Sequence, residues 1–388
     1  MNSDPGSARN VIARQLIVLA DQGDRDAWLA TRRDGLGGSD VSAICGENPH
    51  RRPIDVWNDK LHPFEGVEPP SSEHADRLEM GQYLEPVVMA MRANGQWRPA
   101  GPHKRLVWRP PMVCRRDRPW QRGSCDGLSI PAEQVTDYNT PTPSRAGYYV
   151  PSCGAFADLC PPGGGWWEMV EECKTHGYRA GFAYDDPFSD EPVPADKLIQ
   201  TAWYSSIWQV PTVALSALVD THIRRHWRWA VDPAFVTDLL TISEEWWQRH
   251  IVEGMMPDPD GSERYSKHLR RLFKDAGETV RASEALDVEI GKLRAARAAK
   301  KAAEIEAERI EQIVCASMGN AAVLESQHGK ITWRLEKGRV KLRVVVDELA
   351  EALKPHGLTT AHLMDIEDRS RGEGPRVFRV PPAWSKSK

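Results

Sequence analysis

The sequence predicts an α/β fold: a mixed central sheet flanked by helices, followed by a long helix and a small β unit. Three observations predict it. Segments of helical and strand character succeed one another between residues 78 and 254. One strand-like run, VPTVALSALVD (210–220), is apolar enough for a central strand covered on both faces. From 279 to 318 the composition shifts to Ala, Glu, Lys and Arg around a thin apolar stripe, the pattern of a long helix, a helical hairpin or a coiled coil. A chain of 388 residues suits one large core with an appendage, or two domains.

Each element has its own signal. Residues 24–46 read as helix, tight glycine turn and helix, with Ser39 or Asp40 placed as N-cap of the second. Residues 78–93 form a helix whose buried stripe is Leu84, Val87, Val88 and Met91, with Glu85 beside it. Residues 103–109 read as a strand, and RGSCDGLSI (122–130) as a strand that turns at Asp126-Gly127. The Pro/Gly/Tyr-rich stretch 131–165 reads as a long insertion. The strand WWEMVEECKT, a helix over 195–209 carrying Gln200 and Tyr204 one turn apart, the strand 210–220 and a helix over 233–254 follow. Beyond the long helix, GKITWRL and RVKLRVVV read as strands and VDELAEALKP as a short helix. The expected organisation is therefore a core over 1–278, containing the insertion, and an appendage over 279–388.

Composition narrows the class. The net charge is −4, so the chain is no polycation, yet positive charge clusters in 104–122, 222–229 and 267–274. Basic segments on an acidic chain suit a groove that grips a polyanion; solvated arginines on ordinary faces are the plainer alternative. Trp97, Trp108 and Trp120 lie among arginines and could stack on bases or simply pack. The seven cysteines form no CxxC pair, and no second pair completes a metal site with Cys153 and Cys160. There is no apolar run long enough for a membrane span, and MNSDPGSARN lacks a signal-peptide layout. These features predict a soluble, cytoplasmic protein.

The chemistry concentrates in EECKT (171–175). Alternate strand residues share a face, so Glu172 and Lys174 project together and Cys173 points away. Alone, that is a surface ion pair. With Glu85 on a preceding helix, Asp126 at a strand end and Gln200 on a following helix, it becomes hard oxygen ligands from three regions plus one lysine. Oxygen ligands suit Mg²⁺ or Mn²⁺ rather than zinc. Phosphodiester hydrolysis needs that inventory, with one or two ions binding the phosphate and activating water. Gly37, Gly38 and Ser39 ahead of a helix would place N–H groups and a hydroxyl where an anion is favoured.

On WLATRRDGLGGSD (28–40), MGQYLEPVV (80–88), SCDGL (124–128), EECKT, the Gln200 helix and the segment 235–273, the chain resembles PD-(D/E)xK nucleases of the lambda exonuclease and YqaJ-type viral recombinase branch. The resemblance implies a restriction-endonuclease-like core. It implies that Asp126, Glu172, the Cys173 carbonyl and Glu85 serve a metal, with Lys174 as the catalytic lysine. Gln200 would lie near the nucleophilic water, and Arg32 and Ser39 would bind a terminal 5′ phosphate. It also implies a Mg²⁺-dependent exonuclease on linear double-stranded DNA, a homo-oligomer such as a trimeric ring, and a partner that anneals single strands. Two departures stand out. Cys125 replaces the proline before the motif aspartate, and more than forty residues separate Asp126 from the ExK strand. Glu171 competes with Glu172 as ligand, but only Glu172 has the ExK spacing. An endonuclease or nickase on the same core, a non-catalytic DNA-binding scaffold, and an assembly protein built on the tail are the rival readings.

Overall fold

The computed structural model describes residues 11–21, 25–62, 72–135, 148–150, 159–161, 165–177, 192–220, 222–273 and 279–333. The chain divides into two compact units, Met1–Arg271 and Leu272–Lys388. In chain order the first unit runs through β1 (Leu16–Ala20), α1 (Arg25–Arg33), α2 (Gly38–Ile44), α3 (Pro53–Leu61) and α4 (Ser72–Ala93). Then come β2 (Arg105–Trp108), β3 (Met112–Arg115), β4 (Arg122–Gly123), β5 (Gly127–Pro131) and β6 (Tyr148–Val150). It closes with β7 (Met169–His176), α5 (Ala195–Trp208), β8 (Thr212–Val219), β9 (Ile223–Ala230), α6 (Pro233–Trp246) and α7 (Glu263–Leu272).

The central sheet is mixed, with six strands in the order β6-β2-β5-β7-β8-β9. Strands β7 and β8 are parallel and joined through α5, because parallel neighbours need a crossover that spans the sheet. Strand β8 buries nearly its whole length, as its apolar sequence requires. Helix α4 covers one face and α5 the other: Cys173 of β7 clusters with Val88, Met89 and Ala93 of α4, while Val170 joins the core that contains Ile199 and Trp203 of α5. A second sheet, β1-β3-β4, lies beside this one.

Several expectations change here. Residues 122–130 are two strands in two sheets, β4 pairing with β3 and β5 with β2 and β7, so Asp126 sits at the crossing between them. The buried line of α4 is Val88, Met89, Arg92 and Ala93, whereas Val87 is 51% exposed. The helix is turned by about one residue because buried Arg92 lies 3.4 Å from the buried Glu171 carboxylate, a pairing that hydropathy cannot register. Part of the insertion is structural: Tyr148–Val150 extends the sheet as a strand parallel to β2, and Leu159 and Cys160 are buried. Cys153 lies outside the described residues.

Trp97 and Trp108 are core residues rather than base-stacking platforms. Trp97 donates to the Arg225 carbonyl at 3.1 Å under the Arg224 guanidinium, and Trp108 stacks on Trp167 at 5.2 Å. Several arginines of the basic segments are likewise paired internally, Arg105 with Glu168 and Glu171, Arg115 with Asp117, Arg228 with Glu168. Strands β1, β3 and β9 and helix α3 carry no signal among those read above.

The second unit contains α8 (Glu284–Met318), opened by Ser283, whose side chain accepts from the Leu286 N–H. A hairpin of β10 (Val323–Ser326) and β11 (Gly329–Thr332) follows. The expected strand RVKLRVVV and helix VDELAEALKP lie outside the described residues.

The start of α2 differs from expectation too. Gly37 is the N-cap, and Asp40, three residues on, accepts from the Gly37 N–H at 3.0 Å. Asp40 is fully buried and meets Arg51 at 2.6 Å, Lys60 at 3.0 Å and Arg32 at 3.6 Å, tying α1, α2 and α3 to one carboxylate. Burial alone would raise its pKa, but Lys60, Arg51 and Arg32 outweigh burial and hold it well below the carboxylate range. A depressed folded pKa means this stabilisation is complete above the ordinary value of ~3.9 and is lost only as pH falls through the folded value. Asp40→Ala leaves three cations facing an empty site and is expected to cost about 3–5 kcal/mol in urea unfolding at pH 7. A loss below about 1 kcal/mol, the range of an exposed pair, contradicts that role.

Candidate functional site

A cavity of ≈ 200 Å³ opens where the crossing segment Ser124–Asp126 meets β7, α5 and the start of α2. Asp126, Glu172, Lys174 and Gln200 line one part of it, and Arg32, Gly37, Gly38 and Ser39 another. Gly38 permits this approach, since a Cβ there would stand 2.9 Å from Gln200 Cγ. Trp28, Met112, Arg122, Gly123, Ser124 and Tyr204 complete the wall and were not singled out as site residues from the sequence. The available signals were weak: Trp28 and Arg32 stand one helical turn apart, and Ser124 and Arg122 precede Asp126 at alternate positions.

The acidic end is held by the strand itself. Glu172 is 1% exposed and Lys174 projects from the same face, its Nζ donating to Glu172 Oε1. Gln200 Nε2 donates to that oxygen at 2.8 Å, and Lys174 Nζ lies 4.0 Å from Asp126 Oδ2. The Cys173 N–H donates to Asp126 Oδ2 at 2.8 Å. A strand residue's carbonyl points to the same side as its N–H, so the Cys173 carbonyl also faces the space beyond the end of β5. Glu171 faces away, accepting from Ser129 Oγ at 2.8 Å and sitting 3.6 Å from Arg105, so it does not compete for the cavity.

Glu85 reaches the acid cluster electrostatically but does not line the cavity; its Oε1 is 3.3 Å from Arg109. At the other end Arg32 donates to Ser39 Oγ at 2.7 Å and lies over the Trp28 ring, whose N–H donates to Ser124 Oγ at 3.2 Å. Helix α2 has only 7 residues, so an anion here would rely on the Arg32 and Ser39 side chains more than on a helix dipole.

The charge balance is tense. Burial, then the Asp126 charge, push Glu172 up to about 7 against the pull of Lys174. Burial and Asp126 push Glu85 up to about 8 against Arg109. Burial would lower Lys174, but Glu172 and Asp126 drive it well above the ordinary lysine value. Glu172 Oε2 is buried without a hydrogen-bond partner among the described residues. Asp126 and Glu172 are oxygen donors of the kind a hard cation takes. Among the described residues no group of three or more His, Cys, Asp or Glu side chains is placed to hold a metal ion.

Comparison with known proteins bears on part of this wall. Residues 27–94 match the YqaJ-like viral recombinase domain family. An uncharacterized protein YqaJ of Bacillus subtilis (strain 168) is 41% identical over 78 residues, 20% of this chain and 23% of the relative, so the chain matches about a quarter of that relative's length. Among solved structures, an alkaline exonuclease from Laribacter hongkongensis aligns over 64% of this chain and 100% of its own, with 12% identity and a TM-score of 0.39. The same exonuclease in complex with dAMP aligns over 63% and 99%, with 13% identity and a TM-score of 0.39. The family match spans α1 to α4 and so includes Arg32, Ser39 and Glu85. Asp126, Glu172, Lys174 and Gln200 lie outside it and rest on geometry.

Raised carboxyl values carry a sign. Glu85 and Glu172 bind protons more tightly folded than unfolded, so their contribution to stability is full below the unfolded value of ~4.3 and fades as pH rises through about 7–8. The protein in EDTA is expected to show a falling thermal midpoint from pH 5 to pH 8.5, and Glu85→Gln to flatten that fall. An unchanged slope in the variant contradicts the charge crowding at Glu85.

Proposed function

We propose that the chain is a metal-dependent deoxyribonuclease acting at the ends of linear double-stranded DNA, an exonuclease working 5′ to 3′ and leaving single strands for recombination. The observation that carries this reading is one cavity with Asp126, Glu172, Lys174 and Gln200 at one end and Arg32 with Ser39 at the other. A phosphodiester fits the first end chemically and a terminal phosphate the second.

Asp126, Glu172 and the Cys173 carbonyl would hold Mg²⁺ or Mn²⁺, one or two ions, with Glu85 supporting the ion or its water. The unpartnered Glu172 Oε2 and the crowded carboxyl groups support that assignment. Such an ion, when bound, supplies a polarised phosphate and an acidified water. Lys174, held protonated by its two carboxylates, offsets the negative charge that builds on the phosphate. Gln200 orients the attacking water from α5. Arg32 and Ser39 fix the DNA end by a charge-assisted hydrogen bond and a hydroxyl contact to the 5′ phosphate.

The reading extends to a homo-oligomer, a trimeric ring around DNA, and to a partner that anneals the exposed strand. It places the protein in the cytoplasm; among the described residues no helix is long and apolar enough to cross a membrane.

The test uses 5′-phosphorylated linear duplex and covalently closed circles with Mg²⁺. Linear DNA alone should be degraded, and Lys174→Ala should lower kcat by about 10²–10³-fold, the range for losing one preorganised charge-stabilising group. Cutting of closed circles would replace the exonuclease with an endonuclease, and binding without cleavage of either would leave a DNA-binding scaffold. Arg32→Ala should raise KM for 5′-phosphorylated ends by about 10-fold or more, the worth of a hydrogen bond to a charged group, and leave 5′-hydroxyl ends nearly unaffected. Equal effects on both ends would remove the terminal-phosphate role.

A further inference from the structure

We infer that helix α8 is an interface between two copies of this chain, which pair antiparallel along it. The inference is separate from the ring named above and stands whether or not the chain cuts DNA.

Helix α8 runs for 35 residues in the second unit. Leu286, Ile290, Ile305, Ile310 and Ile313 are exposed along it. A helix in water draws most of its stability from packing an apolar face, so these residues call for a partner. The apolar positions gather at the two ends. Leu286, Ile290 and Leu293 form one group at heptad spacing, and Ile310, Ile313 and Val314 form the other. Between them the same line carries charge.

That charge is sorted into two blocks. Residues 292–301 hold Lys292, Arg294, Arg297, Lys300 and Lys301 and no acid. Residues 302–311 hold Glu304, Glu306, Glu308 and Glu311 against Arg309 alone. The boundary lies at the middle of the helix. A parallel, in-register pair would set base on base and acid on acid. An antiparallel pair overlapping along its whole length sets each basic block on the acidic block of the second copy. The two-fold axis makes that match twice over.

The residue register agrees with the blocks. With Ile290 of one copy across from Val314 of the other, Lys300 stands across from Glu304. Those two are 3.7 Å apart within one helix, so the pair gathers four alternating charges about its centre. Arg294 and Glu308 lie two heptads apart on one edge of the helix, and antiparallel pairing brings each beside the other. Along a single helix no acidic residue stands three or four places from Arg294, and no basic one from Glu308 or Glu311. The opposite charge these three lack along their own helix is supplied across the pair. Exposed charge pairs add little affinity one by one, so the apolar ends supply affinity and the blocks set direction.

Sedimentation velocity of the full chain reads the pairing. Lys292→Glu, Arg294→Glu and Lys300→Glu together turn the basic block acidic. Glu304→Lys, Glu308→Lys and Glu311→Lys together turn the acidic block basic. Each triple variant alone should weaken pairing by about 10-fold or more, the effect of like charges set face to face, and halve the particle mass where the wild-type chain is paired. The two variants mixed in equal amounts should recover the wild-type mass, because an acidic helix then meets a basic one. A chain with all six substitutions exchanges the blocks and should pair as the wild type does. Wild-type mass retained by both triple variants overturns the inference, and so does a wild-type chain that sediments singly. Halving without recovery on mixing overturns it as well, because a helix merely weakened by its new charges would not be restored by a second chain.

Discussion

The hydrogen bond from the Cys173 N–H to Asp126 Oδ2 is the contact on which the site depends. Asp126 lies in the short crossing from β4 to β5, where the chain leaves one sheet for another and has no ladder to fix it. Strand β7 supplies the missing constraint. Its N–H takes Asp126 Oδ2, the oxygen that also lies 4.0 Å from Lys174 Nζ. The site is thus a seam, formed where strand β5 ends and its neighbour β7 runs past it. Helix α5 presents Gln200 because the β7–β8 crossover must pass over this face.

A second carboxylate organises the opposite wall. Asp40 gathers Arg32, Arg51 and Lys60, and this holds the Arg32 side chain near Ser39 instead of in open solvent. The two walls differ in electrostatic character. One crowds acids around a single lysine, the other crowds cations around a single acid. The cationic wall suits a terminal phosphate directly, the acidic wall would meet a phosphate only through a bound cation, and that pairing is the substance of the proposed function.

Much of this was legible in the sequence because it follows from periodicity. The two-residue repeat of a strand puts Glu172 and Lys174 on one face, and the chain order of helix, strand, strand and helix places Asp126 and Gln200 near them. Other features were hidden for physical reasons. The turn of α4 depends on Arg92 being buried against Glu171, and a buried ion pair reads as two exposed charges. Strand periodicity shows that 122–130 is extended but not that it changes sheets at Asp126. Strand β6 sits in a stretch whose prolines and glycines signal loop. Trp97 and Trp108, flanked by arginines, suited bases and packing alike, and a sheet covered on both faces needs large residues beneath its helices.

The central claim is that the seam at Asp126 and Glu172 is a hard-cation site. Isothermal titration of Mn²⁺ into the metal-free full chain, beside Asp126→Asn and Glu172→Gln, tests it most directly. The account predicts saturable binding of one or two ions by the wild-type chain, abolished or strongly weakened in each variant while the fold is retained. Binding of equal affinity and stoichiometry in all three would contradict it.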